Sequence, residues 1–302
     1  MATTAFQRMK KDALSGKALK EHRALIEREM PGYSVQNQGR IIATRVVEAL
    51  RAAGEVEDIS LADKIENCGR GQLCGSVYCV DCRNRAAAEL NKRISAHSDI
   101  RFGDDADEAR NHLRYMTVLC ELTDLDFQEV KQAVADARIN IKAMKRRFAD
   151  IWTQGSFEFE LIDMKLLGKS GSTVKQETLA AMIDMSVKES FSLGQRVIVH
   201  FHTLVDLNGT DDVEFRGWVR SRWNKHHRQT NVQRTRSNQS LENMAKKISS
   251  YGFKNRVQYN LTFDTDGYKR GVWFKNNRLG ALSSIYDRIG GRGYKGLLIG
   301  LG

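Results

Sequence analysis

Two histidines one residue apart, His200 and His202, sit in the run Val197-Ile198-Val199-His200-Phe201-His202-Thr203-Leu204-Val205, which is otherwise apolar and rich in β-branched residues. Such a run reads as a strand. Alternate side chains of a strand share a face, so both imidazoles project together while Phe201 points into the opposite layer. An imidazole pair of this kind can hold one divalent metal ion. Downstream, the segment Lys247-Ile248-Ser249-Ser250-Tyr251-Gly252-Phe253-Lys254 offers a tyrosine and a lysine at the end of an amphipathic stretch. A metal pair, a tyrosine and a basic setting together suggest phosphodiester chemistry on DNA.

A second metal signal lies upstream, in Cys68-x5-Cys74-x4-Cys79-x2-Cys82. Structural zinc takes four soft ligands in a tetrahedron, and the close Cys79/Cys82 pair is the knuckle half of many such sites. A closed four-cysteine site has no open position for chemistry. Its expected work is folding, with Arg70, Arg83 and Arg85 beside it for DNA contact. Four cysteines so clustered suit a metal better than disulfides and fit a cytoplasmic protein. Cys120 reads as a buried strand residue.

The chain of 302 residues is long enough for a full core and for two or three domains. Lys plus Arg number 48 against 37 Asp plus Glu, a net charge of +11, as expected of a polyanion binder. The distribution says more than the total. From Phe215 to Leu241 there is no acid, while Arg216, Arg220, Arg222, Lys225, Arg228, Arg234 and Arg236 are interleaved with Trp218 and Trp223. That reads as a phosphate-contacting strip with rings available for stacking; His226 and His227 within it read as DNA-facing or solvated. No apolar run approaches membrane-spanning length and the N-terminus lacks the apolar core of a secretory signal, so no membrane partner is expected.

Elements must bring these residues together. Residues 1–66 read as a helical N-terminal region, with Ile41, Ile42, Val46, Val47 and Leu50 at helical spacing, and residues 67–100 as the cysteine module and a helix. Asp104 to Glu108 reads as an acidic linker. Residues 110–265 then give a strand near 113–119, a long amphipathic helix carrying Phe127, Val130, Val134, Ala137, Ile141, Met144 and Phe148 behind an Asp126 cap, and a strand at 157–162. After a helix near 176–187 come the histidine strand, a helix through Leu241, Met244, Ala245 and Ile248 to Tyr251, and a strand from Val257 to Phe263. The order β-α-β-β-α-β predicts an α+β, ferredoxin-like or split βαβ domain, with a central antiparallel sheet and two helices on one face. Glu158 and Glu160 alternate with phenylalanines on the strand preceding the histidines, so one of them is the expected third metal ligand. Glu160 is favoured, Glu158 is the alternative and Asp163 a weaker one. Residues 266–302 form a C-terminal extension, expected to dock on this domain, for which the sequence suggests no function.

His200-Phe201-His202 in an apolar run, followed by Tyr251-x-x-Lys254 on a helix, resembles the HUH endonuclease superfamily. With the upstream cysteines and the Tyr115-Met116-Thr117-Val118 strand, it is similar to the rolling-circle replication initiators of plasmids and phages. The resemblance covers roughly residues 68–263. It implies a nuclease that nicks single-stranded or extruded origin DNA: Tyr251 attacks phosphorus, leaving a 5′-phosphotyrosine link and a free 3′-hydroxyl primer. It further implies Mg²⁺ or Mn²⁺ held by His200, His202 and a carboxylate, with Lys254 steadying the phosphate or phenolate. Tyr259 is the rival nucleophile. A host DNA polymerase and, since no helicase motif is present, a host helicase are the implied partners. A transposase or relaxase would use the same chemistry, and a non-catalytic zinc-containing DNA-binding regulator is the reading from another class.

Overall fold

The computed structural model describes residues 35–69, 73–165, 173–235, 240–251, 253, 257–263, 269–291 and 294–301. Arg70, Arg236 and Lys254 lie outside the described residues.

The chain is α+β. Helices Val35–Ala53 (α1) and Val56–Glu66 (α2) precede the cysteine segment, and Val80–Phe102 (α3) follows it. Ile42, Val46, Val47 and Leu50 of α1 are buried, as their spacing requires, whereas Ile41 is exposed. The acidic stretch read as a linker is instead a helix start. Asp105 accepts the backbone N–H groups of Asp107 and Glu108 and caps Ala106–His112 (α4), satisfying donors that have no partner within the helix.

Leu113–Thr123 (β1) leads through Phe127–Arg147 (α5) to Trp152–Asp163 (β2). Asp126 caps α5 through Gln128 and Glu129, and Val130, Val134, Ala137, Ile141 and Met144 are buried along one side. Two helices, Thr173–Met182 (α6) and Val187–Ser190 (α7), then precede Gln195–Asp206 (β3), Asp212–Arg222 (α8) and Thr230–Arg234 (β4). After Leu241–Tyr251 (α9) come Gln258–Phe263 (β5), Lys269–Trp273 (β6), Asn276–Gly290 (α10) and Leu298–Leu301 (β7). The main sheet is antiparallel throughout, in the order β4-β1-β3-β2-β7. Thus α5 carries the chain across β3, from β1 to β2, and α8 carries it across β1, from β3 to β4.

Periodicity assigns the second crossover to residues 241–251 and the fourth strand to 257–263. The structure corrects both. Phe215 and Val219 of α8 and Trp223, the residue that ends it, each four apart, make its inner side: Phe215 packs on Phe148 and Trp223 on Phe201. β5 pairs instead with β6 in a separate two-stranded sheet.

Residues directly opposite in an antiparallel ladder share a face. Thr117, His202 and Ser156 form one row, and Leu119, His200 and Glu158 the next. Val118, Phe201 and Phe157, between them, point the other way. Helices α5 and α8 cover that phenylalanine face, with Arg138 over the Phe157 ring and Trp223 against Phe201. The imidazole face carries α3, α6 and α9. His97 of α3 stacks on Trp152 at 3.8 Å and meets Asp206 at 2.9 Å. Lys175 of α6 reaches Glu160, and Lys247 of α9 lies over Tyr115.

The C-terminal segment is part of this body. It supplies edge strand β7, and the Tyr286 hydroxyl of α10 accepts the Phe159 N–H and donates to the Phe159 carbonyl where β2 runs past β7. Gly280 lets α10 press on α1, because a Cβ there would stand 2.9 Å from the Ala49 carbonyl oxygen.

Candidate metal centres and nucleic-acid interface

The central pair β2–β3 sets the first centre. Its register puts Glu158 opposite His200, so one carboxylate meets both imidazoles. Oε2 of Glu158 is 3.2 Å from Nε2 of His202 and 3.7 Å from Nε2 of His200. The two rings stand 5.0 Å apart at 77°. All three residues are buried, Glu158 at 1 % exposure. A carboxylate so far from water needs partners, and a cation among the three donors would be one. Two imidazole nitrogens and a carboxylate oxygen are a donor set for a divalent ion, and their ligand atoms lie within 4.8 Å of one another. Ser156, in the adjoining row of the same face, is fully buried, and its hydroxyl has no hydrogen-bond partner among the described residues.

Nδ1 of His202 is held from behind. The Tyr115 and Thr117 hydroxyls of β1 each lie 2.9 Å from it. Their two-residue spacing, legible in the sequence, puts both on one face of β1, and the β1–β3 register, with Thr117 opposite His202, makes it the imidazole face. Lys247 of α9 sits 5.6 Å over the Tyr115 ring, connecting that helix to the site. Met244, Ala245 and Ile248 bury the helix side that packs there. Tyr251 is the last residue of α9, four positions after Lys247. The rival Tyr259 lies in β5.

The favoured third ligand changes. Glu160 shares the face of Glu158, but it lies one row further on, opposite Ile198, and pairs with Lys175 at 3.0 Å. Asp163, at the strand end, accepts the Lys165 N–H. Register thus brings Glu158 to the histidines and leaves Glu160 with a counter-ion of its own.

The second centre is the cysteine group. The Sγ atoms of Cys68, Cys74, Cys79 and Cys82 are linked at 3.5 Å through the contacts Cys68–Cys82, Cys74–Cys82 and Cys79–Cys68. A tetrahedral zinc with bonds of about 2.3 Å has ligand edges of about 3.8 Å, so the four sulfurs already stand near the spacing such an ion needs. Backbone N–H groups of Cys74, Gly75 and Ser76 point at sulfurs of Cys68, Cys82 and Cys74, the direction that stabilises thiolates. The hydrogen bond from Cys74 pushes the Cys79 thiol down to about 5, while burial pushes Cys82 up to about 11. Cys120 is a buried thiol in β1, at a register shift between Leu119 and Glu121.

The basic strip is divided by the fold. Arg216, Arg220 and Arg222 ride on α8, which covers the face away from the imidazoles. Arg216 is tied to Asp212, which also holds the buried Arg114. Arg220, Arg222, Arg228 and Arg234 are exposed; Lys225 pairs with Asp184, and His226 bonds Thr178 of α6. The expectation of two stacking rings is corrected: Trp223 is core at 5 % exposure against Phe201. Trp218 is half-buried beneath Arg222, whose guanidinium lies 5.0 Å over its ring.

No family model, curated protein or solved structure matches this chain. No helix among the described residues is long and apolar enough to cross a membrane.

Proposed function

We propose that this protein is a metal-assisted DNA nickase of the HUH type, acting as a rolling-circle replication initiator. One observation carries the reading: Glu158, His200 and His202 converge on the sheet face that is covered by the helix ending in Tyr251. The β-α-β-β-α-β connectivity with strand order 4-1-3-2 supports a ferredoxin-like nuclease domain, to which β7 is an added edge.

In this reading His200, His202 and Glu158 hold Mg²⁺ or Mn²⁺, which when bound offsets charge on the scissile phosphate oxygens. The Tyr251 oxygen attacks phosphorus and loses its proton. The bond from phosphorus to the 3′ oxygen breaks, and that oxygen gains a proton to become the primer hydroxyl. The product is a 5′-phosphotyrosine, whose retained ester energy lets the same site rejoin ends. Lys254 steadies the charge that develops. The four cysteines hold zinc as a structural ion, and Arg220, Arg222, Arg228 and Arg234 contact the DNA backbone. A host helicase and polymerase complete the cycle.

The test uses single-stranded oligonucleotides tiling the protein's own replicon, with Mn²⁺, on a denaturing gel. A covalent adduct is expected, retained in Tyr259→Phe and lost in Tyr251→Phe, in His202→Ala and with EDTA. Adducts at the ends of a mobile element instead of one origin would assign a transposase. No adduct with any oligonucleotide would overturn the nuclease reading in favour of a DNA-binding regulator.

A further inference from the structure

We infer that Tyr115 and Thr117 are positioning residues that jointly set the proton on His202 and so keep the bound cation exchangeable, an inference that rests on the proposed binding of a divalent cation by His200, His202 and Glu158. Two hydroxyls meet one ring nitrogen, Nδ1, each at 2.9 Å. The Tyr115 ring lies nearly parallel to the imidazole, at 15° and 6.0 Å between centroids.

A metal at Nε2 needs the ring proton on Nδ1, and what sits behind Nδ1 decides how readily that tautomer forms. Nε2 lies 3.2 Å from the Glu158 carboxylate, and with no cation between them that contact would favour a proton on Nε2 and leave Nδ1 to accept. Cation entry therefore moves the neutral ring's proton from Nε2 to Nδ1. A carboxylate behind the ring could only accept, and would lock the metal-ready tautomer. A hydroxyl either donates or accepts, so it satisfies Nδ1 in both states. Binding then leaves no nitrogen of the ring without a partner. Since both hydroxyls occupy equivalent distances, each can serve alone.

Redundancy gives a sharp test. Free Mn²⁺ is followed by electron paramagnetic resonance during titration of the zinc-loaded full chain. Wild type is expected to bind one Mn²⁺, with binding lost in His202→Ala. Tyr115→Phe and Thr117→Val are each expected to weaken binding less than about threefold. The double variant should weaken it about 10- to 100-fold, the range for loss of a ligand's outer partner. Thr117→Ser in the Tyr115→Phe background should stay within about threefold of wild type, and long-range ¹H–¹⁵N spectra should show His202 changing tautomer on diamagnetic Mg²⁺ binding. A merely structural role predicts a lowered melting temperature with unchanged Mn²⁺ affinity. Wild-type binding that is lost in His202→Ala but unchanged in the double variant overturns this inference alone, as does a full loss from either single change. If wild type binds no Mn²⁺ at all, the metal reading fails and this inference with it.

Discussion

Gly155→Ala perturbs the site through the backbone alone. Gly155 lies in β2 between β3 and β7, opposite Thr203 and Ile299. A Cβ there would stand 2.0 Å from the carbonyl oxygen of His202 and 2.7 Å from the Cα of Thr203. Both are backbone atoms of a central strand and cannot swing aside. Reaching ordinary contact at 3.4 Å requires β2 to move by about 1.4 Å relative to β3. Overpacking costs about 1–3 kcal/mol, and a clash with buried backbone belongs at the upper end, about 3 kcal/mol. At roughly 2–4 °C per kcal/mol for chains near this size, the melting temperature should fall by about 6–12 °C. The same movement separates Glu158 from the imidazoles, so Mn²⁺ affinity of the fraction still folded at 20 °C should fall by about tenfold or more. Calorimetry and a Mn²⁺ titration read the two effects. Melting within 2 °C of wild type would refute the close approach of β2 to β3 and the reasoning built on it.

Trp223→Ala should cost about 3–5 kcal/mol by urea denaturation, as a buried aromatic against Phe201, and Trp218→Ala much less; equal costs would contradict the placement of α8. Asp206 lies below the usual carboxylate range despite its burial, because the His97 hydrogen bond, the Asn208 N–H and the charges of His97 and Arg101 outweigh desolvation. With a depressed folded-state value, its stabilisation is present above the ordinary Asp range near pH 4 and is lost as pH falls below it. Asp206→Asn should therefore be less stable at pH 7 and show a flatter acid limb in urea; an unchanged acid limb counts against the pairing. The purified chain should carry one zinc per molecule by elemental analysis, lost in Cys79→Ser, and full zinc content in that variant would contradict the four-sulfur site.

Much of the architecture was legible where one period dominated. The three-and-four spacing of α5, its Asp126 cap and the alternation of Phe157-Glu158-Phe159-Glu160 each report a face directly. The second crossover was hidden because α8 keeps its period only at Phe215, Val219 and Trp223 amid arginines that read as a surface strip. Its strand β4, Thr230–Arg234, is a polar edge with little burial to signal it. The imidazole face could be read from His200 and His202, but not which glutamate meets it. Period two puts Glu158 and Glu160 on one face alike, and only the β2–β3 register, set across the α6–α7 excursion, separates them. The same register information was needed to join Tyr115 and Thr117 to His202.

Whether Tyr251 becomes the covalent link to DNA is tested most directly by mass spectrometry of the trypsinised, nuclease-trimmed adduct formed with Mn²⁺. Cleavage after Lys247 and Lys254 isolates residues 248–254, Ile-Ser-Ser-Tyr-Gly-Phe-Lys, whose one tyrosine is Tyr251. A nucleotide remnant on that peptide is the expected result. A remnant on residues 257–269, which contain Tyr259, or on residues 115–131, which contain Tyr115, would contradict the assignment of the nucleophile.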